Sequence, residues 1–184
     1  MPRSLYFSYE GESGNILGQA RRKVSLDLSG WKAGVSSGNL REVFCPKNLG
    51  TWPIKFIANA LVDALPGLSA VRIEPEVFID FLAKEGAEED SWTLRFWEID
   101  QKKGWSRAIT AGREKPDIAN AIVIAMNRAD RPTVWAGVEF THPKFGSRVM
   151  MHRWPVASIC HWGEAGSAYM KVKNRFVDLL RKII

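Results

Sequence analysis

Residues 133–154 read TVWAGVEFTHPKFGSRVMMHRW, and this stretch decides the fold class. Its two ends, 133–141 and 147–154, are rich in β-branched, aromatic and other apolar residues, which favour strands. The segment between them contains Pro143 and Gly146, which favour a turn. The stretch therefore predicts two strands joined by a turn.

The C-terminal part of the chain has the periodicity of an amphipathic helix. Ser167 is expected to cap this helix, because its hydroxyl can accept a hydrogen bond from a backbone N–H of the first turn. The apolar residues recur three or four positions apart, at Tyr169, Val172, Phe176, Leu179, Leu180 and Ile183. The intervening positions are mostly charged or polar, so we expect one face of the helix to pack against the core.

Upstream of the quoted stretch, the pattern predicts a second pair of strands. Residues 91–99 are aromatic and β-branched, and residues 101–104 read QKKG, which is expected to turn the chain into another strand over 105–110. Residues 116–128 combine helical spacing with an apolar run that also fits a buried strand. We favour a helix for this segment.

The N-terminal half is expected to contain two helices and two strands. Pro53 can open one helix and Pro75 a second, since proline is well tolerated in the first turn. Residues 5–9 favour a strand, and residues 23–28 alternate between apolar and polar, which predicts a half-buried strand. The glycines and serines of residues 29–48 predict a long irregular connection.

Strands in pairs, with helices between and after them, predict an α+β fold. We expect a single domain over residues 1–184, because a chain of this length can bury one sizeable core. In this interpretation a mainly antiparallel sheet carries the helices on one face, and an amphipathic helix ends the chain.

The composition predicts a cytoplasmic protein with no membrane partner. No run approaches the roughly 20 apolar residues that cross a bilayer, and Met1-Pro2-Arg3 leads into no apolar signal segment. Only two cysteines are present, Cys45 and Cys160, which is unlike a secreted disulfide framework. We expect both to be buried free thiols.

The charge is distributed unevenly along the chain. The net charge is +6, composed of +4 in residues 1–55, −4 in residues 56–141 and +6 in residues 142–184. If the two basic ends meet in space, one positive face results. Such a face would attract a polyanion, so the leading hypothesis is a nucleic-acid-binding accessory protein that uses its basic terminal regions, with DNA expected in preference to RNA.

Basic residues interleaved with aromatics suggest where that contact would form. Lys and Arg contact phosphates, and aromatic rings stack on unpaired bases. The expected nucleic-acid-binding residues are Arg21, Arg22, Lys23, Lys32, Lys102, Lys103, Arg148 and Arg153. The alternative is that these side chains cover tryptophan rings of the core, and that the aromatic surfaces serve a structural or protein-interaction subunit with a protein partner.

A second hypothesis is enzymatic. Lys115-Pro116-Asp117, followed by Val138-Glu139-Phe140-Thr141, resembles the motif of PD-(D/E)xK metal-dependent nucleases. The resemblance implies Mg²⁺ held by Asp117 and Glu139, with a lysine two residues after the glutamate positioning the attacking water. Here Thr141 occupies the place of that lysine and Lys144 is the nearest replacement. The resemblance also requires a strand over 121–126, where we favour a helix with Asp117 in its first turn.

Other chemistry is not indicated. The three histidines, His142, His152 and His161, form no tight ligand pair with one another or with Cys160, which disfavours a zinc site. Glycine-rich dinucleotide and P-loop motifs are absent from the sequence. We therefore expect no cofactor, other than Mg²⁺ under the nuclease hypothesis.

Overall fold

One antiparallel sheet organises the protein. The structure, a computed structural model, describes residues 3–11, 15–46, 51–87, 93–100, 106–110, 133–141, 148–162 and 166–184. The strands are β1 (Arg3–Tyr9), β2 (Lys32–Ser37), β3 (Leu40–Cys45), β4 (Leu68–Ala70), β5 (Thr93–Asp100), β6 (Ser106–Thr110), β7 (Thr133–Thr141), β8 (Arg148–His152) and β9 (Ser158–Trp162). The helices are α1 (Ile16–Ala20), α2 (Thr51–Ala64), α3 (Pro75–Ala87) and α4 (Ser167–Ile183).

The first strand lies in the interior of the sheet. The strand order is β2-β3-β1-β9-β8-β7-β5-β6, and β4 pairs with β1 outside this path. One edge of β1 pairs with β3, whereas its other edge pairs with β9 at Arg3 to Leu5 and with β4 at Phe7 to Tyr9. The N-terminal and C-terminal parts of the chain therefore meet in the middle of the sheet.

The α+β class, the mainly antiparallel sheet and the amphipathic C-terminal helix are confirmed. The β5–β6 hairpin forms, β7 pairs with β8, α2 has Pro53 in its first turn and α3 begins at Pro75. In α4, Val172 and Phe176 are buried while Lys171 is exposed. Strand β9 had no counterpart among the sequence expectations. The segment 116–128 lies outside the described residues.

The helices are divided between the two faces of the sheet. Because side chains alternate along a strand, Leu5 and Phe7 of β1 point to one face and Tyr6 to the other. Leu5 and Phe7 pack with α1 and α2 on the face that we call the α2 face. Tyr6 packs with α3 and α4 on the opposite face, which we call the α4 face. The sequence predicted that all helices pack on one face. Instead, α3 and α4 cover one face and α1 and α2 the other, because the central β1 is apolar on both sides.

Two local expectations for the N-terminal half are wrong. Residues 29–48 are not one irregular connection, because β2 and β3 form a hairpin whose two-residue turn places Gly38 at φ 57°. A positive φ suits glycine, and such turns are typical of short hairpins. Residues 23–28 do not form a strand; they follow α1 as irregular chain, with Leu28 buried on the α2 face and Leu26 38% exposed.

The start of α4 also differs from the expectation. The N-cap residue is Gly166 rather than Ser167, and no side chain caps the helix there. Its stability therefore depends on the packed apolar stripe rather than on a capping hydroxyl. Among the helices of the described ranges, none has both the length and the apolar character needed to cross a membrane.

Phe176 is expected to be the main anchor of α4. It is fully buried, and its ring contacts Tyr6 and Phe81 edge-on at centroid distances of 5.9 Å. We expect Phe176→Ala to lower the free energy of unfolding by about 3 to 5 kcal/mol, measured by urea denaturation. The control Ile184→Ala removes a side chain that is 44% exposed and should change it by less than about 0.5 kcal/mol. An unchanged midpoint for Phe176→Ala would contradict this packing.

Candidate functional site

Four of the predicted nucleic-acid-binding residues lie together in one segment. Residues 21–32, which we call the basic loop, run from the end of α1 to the start of β2 and carry four basic side chains against one acidic, a net charge of +3. Arg21 closes this loop, because its guanidinium donates hydrogen bonds to the carbonyl oxygens of Leu28 at 3.4 Å and Trp31 at 3.0 Å. Leu28 and Trp31 themselves are buried on the α2 face.

The closed loop brings separate basic residues close to one another. Trp31 precedes Lys32 directly, so the contact from Arg21 to the Trp31 carbonyl places Lys32 beside the Arg21 to Lys23 run. Arg22, Lys23 and Lys32 are exposed. The arrangement is therefore a small positive surface, held in shape by Arg21.

Among the described residues, the aromatic rings near the predicted cations are buried or covered. Trp31, the neighbour of Lys32, is only 6% exposed. Where cations do lie over rings, they cover them: the Arg148 guanidinium lies 4.9 Å from the Trp162 ring centroid, and the Lys55 ammonium lies 5.3 Å from the ring centroid of Trp154. At Trp154 and Trp162, basic side chains therefore cover the rings, as the alternative interpretation expects.

Arg148 is also engaged with an acid. It forms an ion pair with Glu139, whose side chain is 4% exposed while that of Arg148 is 43% exposed. The other carboxylate oxygen of Glu139, Oε2, is buried and accepts no hydrogen bond from the described residues. Arg148 is the cross-strand partner of Thr141, the residue in the place of the motif lysine. A cation, Arg148, therefore lies on the strand next to the position of the motif lysine, but it belongs to β8 and not to β7.

A buried cation, Arg3, lies on the same face of the sheet as Glu139. Arg3 is 2% exposed, and its guanidinium lies 3.1 Å from Nδ1 of His152 and 3.5 Å from the Met150 sulfur. The Ser158 hydroxyl also approaches His152 Nδ1, at 3.4 Å. Because Nδ1 faces these donors, we assign the ring proton to Nε2. Burial, and secondarily the charge of Arg3, hold the pKa of His152 well below its usual 6.5.

Both cysteines flank Arg3, and both are buried free thiols as expected. Arg3 is the register partner of Cys45 on β3 and of Cys160 on β9. The two thiols are therefore two strand spacings apart, about 10 Å, which is too far for a disulfide. Burial raises the pKa of Cys160. A buried, neutral thiol is a poor nucleophile, so neither cysteine makes a catalytic site here.

Of the other predicted nucleic-acid-binding residues, the structure describes Arg148 and Arg153. Arg153 turns inward and donates to the Ile73 carbonyl at 3.0 Å, and burial lowers its pKa. Lys102, Lys103, Asp117 and Lys144, which the sequence also singled out, lie outside the described residues. The two basic ends of the chain do meet through β1 and β9, but the basic loop belongs to the α2 face and α4 covers the other. Within the described residues, the basic loop and α4 therefore lie on opposite faces of the sheet.

Sequence reasoning missed the buried network of Arg3, His152 and Ser158. One signal was available, because Arg3 shares its strand face with Leu5 and Phe7, and a charge in register with apolar core residues is unusual. The partners of Arg3 come from β8, 149 residues away, and no local pattern identifies them.

In the described part of the chain, no three His, Cys, Asp or Glu side chains are grouped so as to hold a metal ion. Comparison of the chain with protein families, with curated proteins and with solved structures finds no match in any of the three.

The buried His152 is expected to make folding pH-dependent. Below about pH 6.5 the unfolded chain protonates this histidine, whereas the folded protein keeps it neutral, so stability falls as the pH falls. The slope should approach about 1.4 kcal/mol per pH unit between pH 6.5 and 5.5. We expect His152→Gln to flatten this slope in urea denaturation, while His161→Gln leaves most of it. An equal slope in wild type and His152→Gln would rule out this role.

Proposed function

We propose that the protein binds nucleic acid, with DNA preferred, through the basic loop, and that it does so in the cytoplasm. The observation that supports this proposal is the convergence of Arg22, Lys23 and Lys32 on one exposed surface whose shape Arg21 maintains. A positive surface of this kind attracts phosphates whatever the base sequence. Among the described residues, none of these three cations lies over an aromatic ring.

The chemistry of the loop sets the expected strength of binding. Arg21 donates to both carbonyls from Nη2 and holds the loop, and we count the three other exposed cations, Arg22, Lys23 and Lys32, as the phosphate contacts. Each phosphate contact on duplex DNA contributes about −0.9 to the slope of log K against log salt, so three contacts predict a slope near −2.7. Binding is therefore expected to be weak at physiological salt and largely indifferent to sequence.

The C-terminal helix belongs to a different surface. It packs on the α4 face, and two of its cations are already paired, Lys173 with Glu42 and Arg181 with Asp178. Because α4 and the basic loop lie on opposite faces of the sheet, a duplex bound to the loop would not also contact the exposed Lys171 and Lys182 of α4. We therefore assign the interface to the N-terminal region alone.

Charge reversal provides a matched test. The double variant Arg22→Glu/Lys23→Glu and the control Lys171→Glu/Lys182→Glu change the net charge equally, and all four positions are exposed. We expect the loop variant to weaken binding to labelled duplex DNA at least tenfold at low salt, measured by fluorescence anisotropy, and the α4 variant to weaken it less than threefold. Equal losses would show that only overall charge matters. No binding by the wild type would reject the proposal.

A second candidate function is a metal-dependent nuclease, and the observation that favours it is the carboxylate oxygen Oε2 of Glu139. Carboxylate oxygens suit Mg²⁺, and Oε2 of Glu139 is buried without a hydrogen-bond donor among the described residues. In this hypothesis Asp117 and Glu139 would hold Mg²⁺, whose chemistry when bound is to activate the attacking water. Glu139 Oε1 is already engaged by Arg148, so Oε2 would be the ligand.

Incubation of the protein with plasmid DNA and Mg²⁺ or EDTA tests this candidate. Metal-dependent cleavage that disappears in both Asp117→Asn and Glu139→Gln would establish it. Arg148→Lys serves as a comparison that keeps a cation next to Glu139 and should retain part of the activity. DNA left intact by the wild type with Mg²⁺ and with Mn²⁺ would eliminate the nuclease, and the binding proposal would be unaffected.

A further inference from the structure

On the α4 face, a cavity opens beside the C-terminal helix. It has a volume of about 350 Å³ and lies between α4 and the hairpin of β2 and β3. This size falls in the range of small-molecule sites. The side chains that carry the argument are Tyr6, Leu40, Glu42, Met170, Lys173 and Val177.

One end of the cavity is polar and is built from three elements. Glu42 of β3 is the register partner of Tyr6 in β1, and its Oε1 accepts a hydrogen bond from the Lys173 ammonium of α4 at 2.6 Å. Glu42 is 5% exposed, so this ion pair is largely withdrawn from water. On the other side, a Cβ at Gly34 of β2 would lie 2.6 Å from Glu42 Oε2, so a glycine is needed for the carboxylate to fit.

Lys173 and Tyr6 lie next to this carboxylate, and each has hydrogen-bond donor capacity that its contacts with the described residues do not occupy. The ammonium of Lys173 has three N–H bonds, of which Glu42 accepts one. The hydroxyl of Tyr6 is buried and forms no hydrogen bond of normal geometry with the described residues, although Ser4 lies near enough to affect its pKa, and Tyr6 lines the cavity. Burial, and secondarily the charge of Glu42, raise the pKa of Tyr6, so its hydroxyl keeps the proton that it would donate.

The lining also has apolar surface. Leu40, Met170 and Val177 contribute it beside the polar Ser37, Asn174, Asp178 and Arg181, and Met170 has 45% of its surface exposed. Methionine is flexible and polarisable, and it adapts to ligands of different shape. A buried donor without an acceptor costs free energy, which a bound acceptor would recover.

We propose that this cavity binds a small amphipathic monoanion, with a carboxylate or similar head accepting hydrogen bonds from Tyr6 and Lys173 and an apolar body against Leu40, Met170 and Val177. The site lies on the sheet face opposite the basic loop. The proposal is therefore independent of nucleic-acid binding, and each can fail without the other.

The test uses the fluorescent anion 8-anilinonaphthalene-1-sulfonate with the full chain, and octanoate as the competitor. We expect saturable binding of the dye to the folded protein and displacement by octanoate. Tyr6→Phe removes only the unpartnered hydroxyl, so it should weaken dye binding about tenfold without lowering the urea midpoint, since a hydrogen bond to a charged group is lost only in the complex. Met170→Trp should block the rim and also weaken binding.

The control Lys171→Met removes an α4 cation that does not line the cavity, and it should bind the dye as the wild type does. Lys173→Met should abolish octanoate displacement, but because it also removes the ion pair with Glu42, the conclusion depends on Tyr6→Phe and Met170→Trp. Absence of saturable dye binding in the wild type would overturn the proposal. So would dye affinities of Tyr6→Phe and Met170→Trp equal to that of the wild type.

Discussion

The pairing of β1 with β9 is the constraint on which the rest of the structure depends. It places the first strand in the interior of the sheet, between β3 on one side and β9 and β4 on the other. This interior strand buries both of its faces because both are apolar: Leu5 and Phe7 supply one core and Tyr6 the other. Helices are then needed on both sides of the sheet.

Burying both faces also buries charges, and each is held by a group from another strand or helix. Lys173 of α4 neutralises Glu42 of β3, Arg148 of β8 neutralises Glu139 of β7, and Arg3 of β1 reaches across β9 to the neutral His152. A buried ion that loses its partner is strongly destabilising. These contacts therefore restrict how the strands and α4 can be arranged. The buried polar atoms for which the described residues provide no hydrogen-bond partner include the Tyr6 hydroxyl and Glu139 Oε2.

The two proposed sites follow from this division of the sheet. The basic loop lies on the α2 face, where α1 and the buried Leu28 and Trp31 anchor it. The cavity lies on the α4 face, where α4 leaves the β2–β3 hairpin partly uncovered. The position of Arg21 matters as much as its charge. Its guanidinium binds the carbonyls of Leu28 and Trp31, so Lys32, which follows Trp31, is held near the start of the loop.

The sequence by itself determined the features that depend on local periodicity and turn residues. These are the strands around Phe7 and Trp97, the helices that begin near Pro53 and Pro75, and the apolar stripe of α4 around Phe176. It also identified the run Arg21 to Lys23 as a charged segment. It misjudged 23–28, because alternation over six residues does not reveal whether a neighbouring strand is present to pair with them.

Only the tertiary structure decided which groups meet. The register of β1 against β3 and β9 placed Arg3 between Cys45 and Cys160, and the packing of α4 brought Lys173 to Glu42, 131 residues earlier in the chain. It also separated the two basic ends onto opposite faces. The physical reason is that strand pairing and burial act between residues far apart in sequence, so the partner of a charged side chain is set by the sheet register and not by its neighbours along the chain.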